Sequence, residues 1–142
     1  MIRNSLAVFA GLSAGMIWNL ALIELITGVF YPPQTPFEMS DTAAFQDYVA
    51  SLPPQAFICV LLAHVGQAFF GGRVAARLSN EDYMTPVMIV GVLAMIGGIV
   101  AFVTMPGPNW LAIEFLFYLP LAYAAGRVET LRRGVPTDAS SQ

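Results

Sequence analysis

Lysine is absent from this sequence, so arginine supplies its basic side chains, and lysine plus arginine number only six. Charged residues make up 11% of the chain and hydrophobic residues 57%, whereas soluble domains carry about 25% charged residues. Because so few polar groups cannot cover a surface in water, we predict that a lipid bilayer surrounds much of the chain. The arginines form no basic patch, and nucleic acid is therefore not an expected partner.

Cysteine is almost absent too, since Cys59 is the only one and lies within an apolar run. A single cysteine excludes an intramolecular disulfide and any CxxC motif that binds a metal or carries out redox chemistry. We expect Cys59 to act as a small buried residue. No motif indicates a cofactor, and we expect none.

Four long apolar runs predict an all-α fold. Each run is long enough to cross about 30 Å of hydrocarbon as a helix, and none has the two-residue alternation of a barrel strand. We predict one transmembrane domain, residues 1–142, folded as a four-helix bundle. Its spans cover about residues 6–30, 56–77, 87–105 and 110–129, with an outer loop at 31–55 and a cytoplasmic tail at 130–142.

The positions of the arginines predict the orientation of this bundle. They fall at the N-terminus, in the second connection and around the end of the fourth span: Arg3, Arg73, Arg77, Arg127, Arg132 and Arg133. The first connection carries Glu38, Asp41 and Asp47 but no basic residue. Under the positive-inside rule, this asymmetry places both termini in the cytoplasm.

The first connection also contains a predicted amphipathic helix. Ser40 or Asp41 can cap it. Its apolar residues recur at helical spacing: Phe45, Tyr48, Val49 and Leu52. Such a helix either rests at the lipid interface or covers the mouth of the bundle as a functional lid.

Small residues predict the packing faces, because helices in lipid associate through close contact at glycine and alanine. In the first span, Ala7, Gly11 and Gly15 form a row that continues to Asn19. The predicted packing residues are Gly11, Gly15, Ala68, Gly71, Gly72, Gly98, Ala122 and Gly126. These rows would also suit self-association or attachment to a larger membrane complex. Pro120 predicts a kink in the fourth span.

Three acidic or histidine side chains lie within the apolar runs of the predicted spans, where ionisable residues are rare and usually paired. Glu24, His64 and Glu114 all fall in the outer half of the membrane. Three further polar residues at similar depth could join them: Asn19, Gln67 and Tyr118. Glu24 lies about 180° around its helix from Gly15 and could instead face another neighbour or a second subunit.

Three interpretations of this cluster remain open. In the first, the polar groups pair with one another and hold the helices in register, and the protein acts by packing or by binding within the membrane. In the second, the cluster is an outward-facing solute, ion or proton site of a small transporter or channel-forming oligomer. In the third, Glu24, His64 and Glu114 bind a metal or act as acid and base in an intramembrane enzyme.

Four segments form a recognisable pattern: YPP at 31–33, LPPQAF at 52–57, VLLAHVGQAFFGGRVAAR at 60–77 and MPGPNW at 105–110. Together they resemble a family of small bacterial four-span proteins without an established activity. The resemblance implies a bacterial inner membrane and four helices, and it implies no catalytic residue. We therefore expect a non-enzymatic bundle whose partners are the lipid bilayer and a second copy of the chain or a larger membrane complex.

Overall fold

The computed structural model describes residues 2–36, 38 and 40–134. Within these residues all regular secondary structure is helical, as the sequence predicts. Most of the predicted tail, residues 135–142, lies outside the described part. The elements are α1 (Ile2–Leu25), a π-helical turn (Ile26–Phe30), α2 (Thr42–Ser51), α3 (Ala56–Leu78), α4 (Met84–Thr104), a 3-10 helix (Asn109–Leu116) and α5 (Tyr118–Gly134).

Four helical segments are long and apolar enough to cross a membrane: Ile2–Phe30, Ala56–Leu78, Met84–Thr104 and Asn109–Gly134. The prediction of four long apolar helices is therefore confirmed. The third long helix, α4, begins at Met84, three residues before the predicted start of the third span. The fourth helix continues five residues beyond its predicted end, because Glu129 pairs with arginines one turn later instead of ending the helix.

Helix α3 lies at the centre of the bundle and packs against α1, α4 and α5. Helix α1 buries Ala7, Gly11, Gly15 and Asn19, the row of small and polar residues seen in its sequence. At Gly11 the backbones of α1 and α3 are in contact, since a Cβ added there would lie 2.7 Å from the carbonyl oxygen of Gly71. Glycine is therefore required at this crossing.

All eight predicted packing residues are buried between helices of the same chain. Gly72 lies against Ala125, and Gly126 lies against Met84. These rows are occupied by intramolecular contacts. They therefore give no separate support to self-association.

The fourth span changes helix type partway along its length. Its first part is a 3-10 helix that ends at Leu116, and α5 begins at Tyr118. Pro120 consequently lies in the first turn of α5, where its missing N–H removes no helical hydrogen bond. A change of helix type thus interrupts the span just before the proline at which a kink is predicted, and it places Glu114 on a 3-10 turn.

Helix α2 lies across the end of the bundle where the first connection begins. Of the two proposed caps, Asp41 is the one that accepts a hydrogen bond, from the Ala44 N–H at 3.1 Å. The Tyr48 hydroxyl donates to the carbonyl of Tyr31 at 2.7 Å. Gln46 donates to the carbonyl of Thr104, at the end of α4, at 3.0 Å. These two bonds tie α2 to the end of the bundle.

Candidate functional site

An imidazole and a carboxyl group meet inside the bundle, near the end that α2 covers. The His64 side chain reaches from α3 to Glu114 on the 3-10 helix, with 2.9 Å between Nδ1 and Oε2. Glu114 is completely buried, and the His64 side chain keeps 14% of its surface exposed. A buried carboxyl group is costly without a partner, so this pair helps to hold α3 and the 3-10 helix together.

Next to this pair is a cavity of about 270 Å³. Helix α2 forms its roof with the four apolar residues of the predicted amphipathic face: Phe45, Tyr48, Val49 and Leu52. Apolar residues from α1, α3 and α4 form most of its walls, among them Ile23, Phe57 and Phe102. Its polar lining includes His64, Glu114 and Asn19. The site is therefore an apolar chamber with a small polar patch.

Several polar atoms of this patch have no hydrogen-bond partner among the described residues. Glu114 Oε1 is buried without one. His64 lines the cavity and makes a single hydrogen bond to the described residues, through Nδ1, so its Nε2 has no partner among them. Asn19 is 93% buried, and its side chain makes no hydrogen bond to another described residue. Buried polar groups normally have partners, so the polar atoms of His64 and Asn19 are suited to a bound molecule.

Tyr118 lies near the carboxyl group of Glu114. It is 1% exposed and interacts electrostatically with Glu114 without completing a hydrogen bond to Oε1. Its hydroxyl occupies the space above Gly98 of α4, where an added Cβ would overlap with it. The packing of α4 against α5 thus holds the ring beside the His64–Glu114 pair.

The structure brings four of the six predicted polar residues together and leaves two apart. His64, Glu114 and Asn19 line the cavity, and Tyr118 lies next to Glu114. Gln67 lies against Gly15 in the interface between α1 and α3. Glu24 is exposed and does not line the cavity. Among the described residues, no group of three histidine, cysteine or acidic side chains could bind a metal ion, so the metal interpretation has no geometric support there.

A second polar cluster, at the opposite end of the bundle, was not predicted. Glu129 is completely buried and accepts hydrogen bonds from Arg132 and Arg133. Arg73 of α3 lies 3.6 Å from the same carboxylate. The sequence contains a signal for it, because an acidic residue followed by arginines three and four positions later can form ion pairs on one face of a helix. Sequence reasoning used those arginines only for orientation.

Arg133 links this cluster to the end of α3, which gives the cluster a structural role. Its guanidinium donates to the carbonyls of Ala76, Ser79 and Asn80, at and just beyond the end of α3. The same guanidinium lies 4.6 Å from the centre of the Tyr83 ring. These bonds satisfy carbonyls that a helix end leaves unpaired. The cluster fastens α5 to the connection between α3 and α4.

Burial has a further consequence at the roof of the cavity. Burial raises the pKa of the Tyr48 phenol above its ordinary value. The neutral phenol therefore persists to higher pH in the folded state than in the unfolded state. The stability that Tyr48 contributes is therefore complete below the pKa of the phenol in the unfolded state. It is lost as the pH rises through the raised pKa of the folded state.

Comparison with known proteins identifies no relative, since no family model, curated protein or solved structure matches the chain.

Proposed function

We propose that this chain is a multi-pass membrane protein. Large apolar side chains point away from the bundle along its length, and Phe9, Val103 and Leu116 are 71%, 72% and 71% exposed. So much apolar surface is unfavourable in water and favourable in hydrocarbon. The four apolar helices have the length that such a location requires.

We propose further that both termini lie in the cytoplasm of a bacterium and that α2 lies on the outer face of the inner membrane. Arg3 donates to the carbonyl of Leu78, and Arg133 donates to that of Asn80. The N-terminus, the second connection and the end of α5 therefore share one end of the bundle, which is rich in arginine. The positive-inside rule supports a cytoplasmic location for that end.

Cysteine labelling tests this topology. In a Cys59→Ala background, Ser40→Cys and Glu81→Cys place a single exposed thiol at opposite ends of the bundle. We expect a membrane-impermeant maleimide to label Ser40→Cys in intact spheroplasts and Glu81→Cys only after lysis. Labelling of both thiols, or of Glu81→Cys alone, before lysis would contradict the proposed topology.

Within the membrane, we propose that the protein binds a small molecule in the cavity beneath α2. The observation that supports this function is a pair of polar side chains in the lining of a largely apolar chamber, His64 and Asn19, whose Nε2 and amide have no hydrogen-bond partner among the described residues. Small-molecule sites typically combine apolar walls with a few oriented polar groups in this way. Binding in this chamber requires no catalytic step.

Fluorine NMR of fluorobenzene with the protein in nanodiscs tests this function. We expect the fluorine signal to broaden beyond that seen with empty nanodiscs, because bound molecules tumble slowly. Val60→Phe fills a cavity-lining position and should remove the additional broadening. Val103→Phe, a matched change at a residue facing away from the bundle, should retain it. Equal broadening by both variants, or none with the native protein, would refute binding in this cavity.

A further inference from the structure

We infer that the ligand of this cavity is a neutral aromatic molecule with a hydroxyl group, of the phenol and hydroquinone class, whose O–H donates to Nε2 of His64. This inference rests on the proposed binding function and adds the chemical class of the ligand. Three features carry it: the orientation of the imidazole, the aromatic residues of the lining, and the position of the only carboxylate.

The pairing with Glu114 sets the hydrogen-bonding role of the free imidazole nitrogen. His64 Nδ1 and Glu114 Oε2 lie 2.9 Å apart, and as part of this inference we assign the hydrogen to Nδ1, which donates to the Glu114 carboxylate. In the neutral imidazole the other nitrogen then has a lone pair and no hydrogen. Nε2 is therefore an acceptor that requires a donor from the ligand. A hydroxyl group meets this requirement.

Aromatic residues line the space in front of this acceptor. Phe45 and Tyr48 approach from α2, Phe57 from α3 and Phe102 from α4. Aromatic rings pack favourably edge to face or offset against one another. A flat ring therefore fits this lining better than a sugar or another strongly hydrated molecule, whose remaining polar groups would lack partners.

The charges around the cavity favour a neutral ligand. Among the described residues no arginine lines it, and the only carboxyl group in the lining is that of Glu114, which is completely buried and bonded to His64. An organic cation would lose its hydration without reaching the carboxylate directly, and an anion would meet no cationic group. Asn19 supplies a neutral amide, which can bond to a second oxygen of the ring.

Three fluorinated probes separate these ligand classes in the same fluorine NMR experiment. 4-Fluorophenol carries the donor, 4-fluoroanisole is its methyl ether without a donor, and 4-fluorobenzylamine carries an ammonium group. We expect the phenol to bind about fivefold to tenfold more tightly than the ether, as one net hydrogen bond implies. Binding to empty nanodiscs is subtracted for each probe, and this comparison on the native protein requires no substitution.

Two variants assign the preference to the acceptor. His64→Phe keeps an aromatic ring but removes Nε2, and it should bind phenol and ether equally. Glu24→Gln, a change at an exposed carboxylate outside the cavity, should keep the native preference. If His64→Phe does not yield a monodisperse protein, Asn19→Leu tests the polar patch from α1 and should weaken phenol binding by a few-fold.

The outcomes distinguish this inference from the proposed function. Equal native affinity for phenol and ether, or tighter binding of the amine, would overturn the ligand class. Binding would still be assigned to the cavity in those cases if Val60→Phe abolished it. If Val60→Phe changed the binding of none of the three probes and not that of fluorobenzene, both the ligand class and the proposed binding function would be overturned.

Discussion

Replacing Gly11 with alanine adds a methyl group where the backbones of α1 and α3 touch. The new Cβ would lie 2.7 Å from the Gly71 carbonyl oxygen and 2.9 Å from the Ala75 Cβ. Ordinary contact begins at 3.4 Å, so α1 must move away by about 0.7 Å or tilt. Neither the Gly71 carbonyl oxygen nor the Ala75 Cβ can rotate aside as the end of a long side chain could.

Such overpacking costs about 1–3 kcal/mol. Helix propensity acts in the opposite direction, since alanine exceeds glycine by up to about 1 kcal/mol in a helix interior. Gly97→Ala on α4 provides the matched control, because a Cβ there would meet no atom within 4 Å. We therefore expect Gly11→Ala to be less stable than the native protein and Gly97→Ala to be equal to it or slightly more stable.

Unfolding by sodium dodecyl sulfate in mixed micelles measures this difference, with tryptophan fluorescence as the signal. Trp18 of α1 stacks on Phe70 of α3 with ring centroids 4.0 Å apart, so separation of the two helices changes its environment. Gly71→Ala meets the Gly11 carbonyl at the same crossing. The double variant should therefore lose less than the two single losses combined. If Gly11→Ala and Gly97→Ala unfolded at the same detergent fraction, close backbone packing would not be what holds α1 to α3.

Three further results are expected in the same detergent system. Glu129→Gln should lower the free energy of unfolding by about 2 kcal/mol, because charged hydrogen bonds to a buried carboxylate are lost. Glu81→Gln, a matched change at an exposed site, should not lower it. Equal losses in the two variants would contradict the structural role of Glu129. Gly98→Ala should lower the melting temperature, since its methyl group displaces a buried tyrosine hydroxyl of α5, and Gly97→Ala should leave it unchanged. Tyr48→Phe removes the hydrogen bond to the first connection and should speed amide exchange in α2 by about fivefold, while exchange in α3 stays constant; uniform acceleration would indicate global destabilisation instead.

The helices and their packing faces could be predicted from local sequence. Long apolar runs have few structural options, because a chain in hydrocarbon must satisfy its backbone hydrogen bonds within each segment. The row from Ala7 to Asn19 lies on one side of any regular helix, whatever the partner. Helix α2 was predictable for the same reason, since its apolar residues share one face and Asp41 stands at its N-cap.

The membership of the polar site was less predictable. Asn19, His64, Glu114 and Tyr118 converge, but Glu24 does not, although its depth along the helix matched theirs. Depth follows from residue spacing, whereas convergence depends on the rotation of each helix about its axis. That rotation is altered on the fourth span by a 3-10 segment that periodicity assuming an α-helix cannot reveal. The cluster around Glu129 was not predicted, because its arginine partners also fit the positive-inside rule, which requires no acidic partner.

The sequence by itself determined that the chain forms four long apolar helices, which of their faces are smooth enough to pack, and where a short amphipathic helix interrupts them. These features depend on residue type and local spacing. Only the tertiary structure decided that α2 roofs a cavity, that His64 meets Glu114 while Glu24 faces outward, and that Glu129 fastens the opposite end. Those outcomes depend on the mutual rotation and separation of helices, which arise when side chains far apart in the sequence compete for the same space.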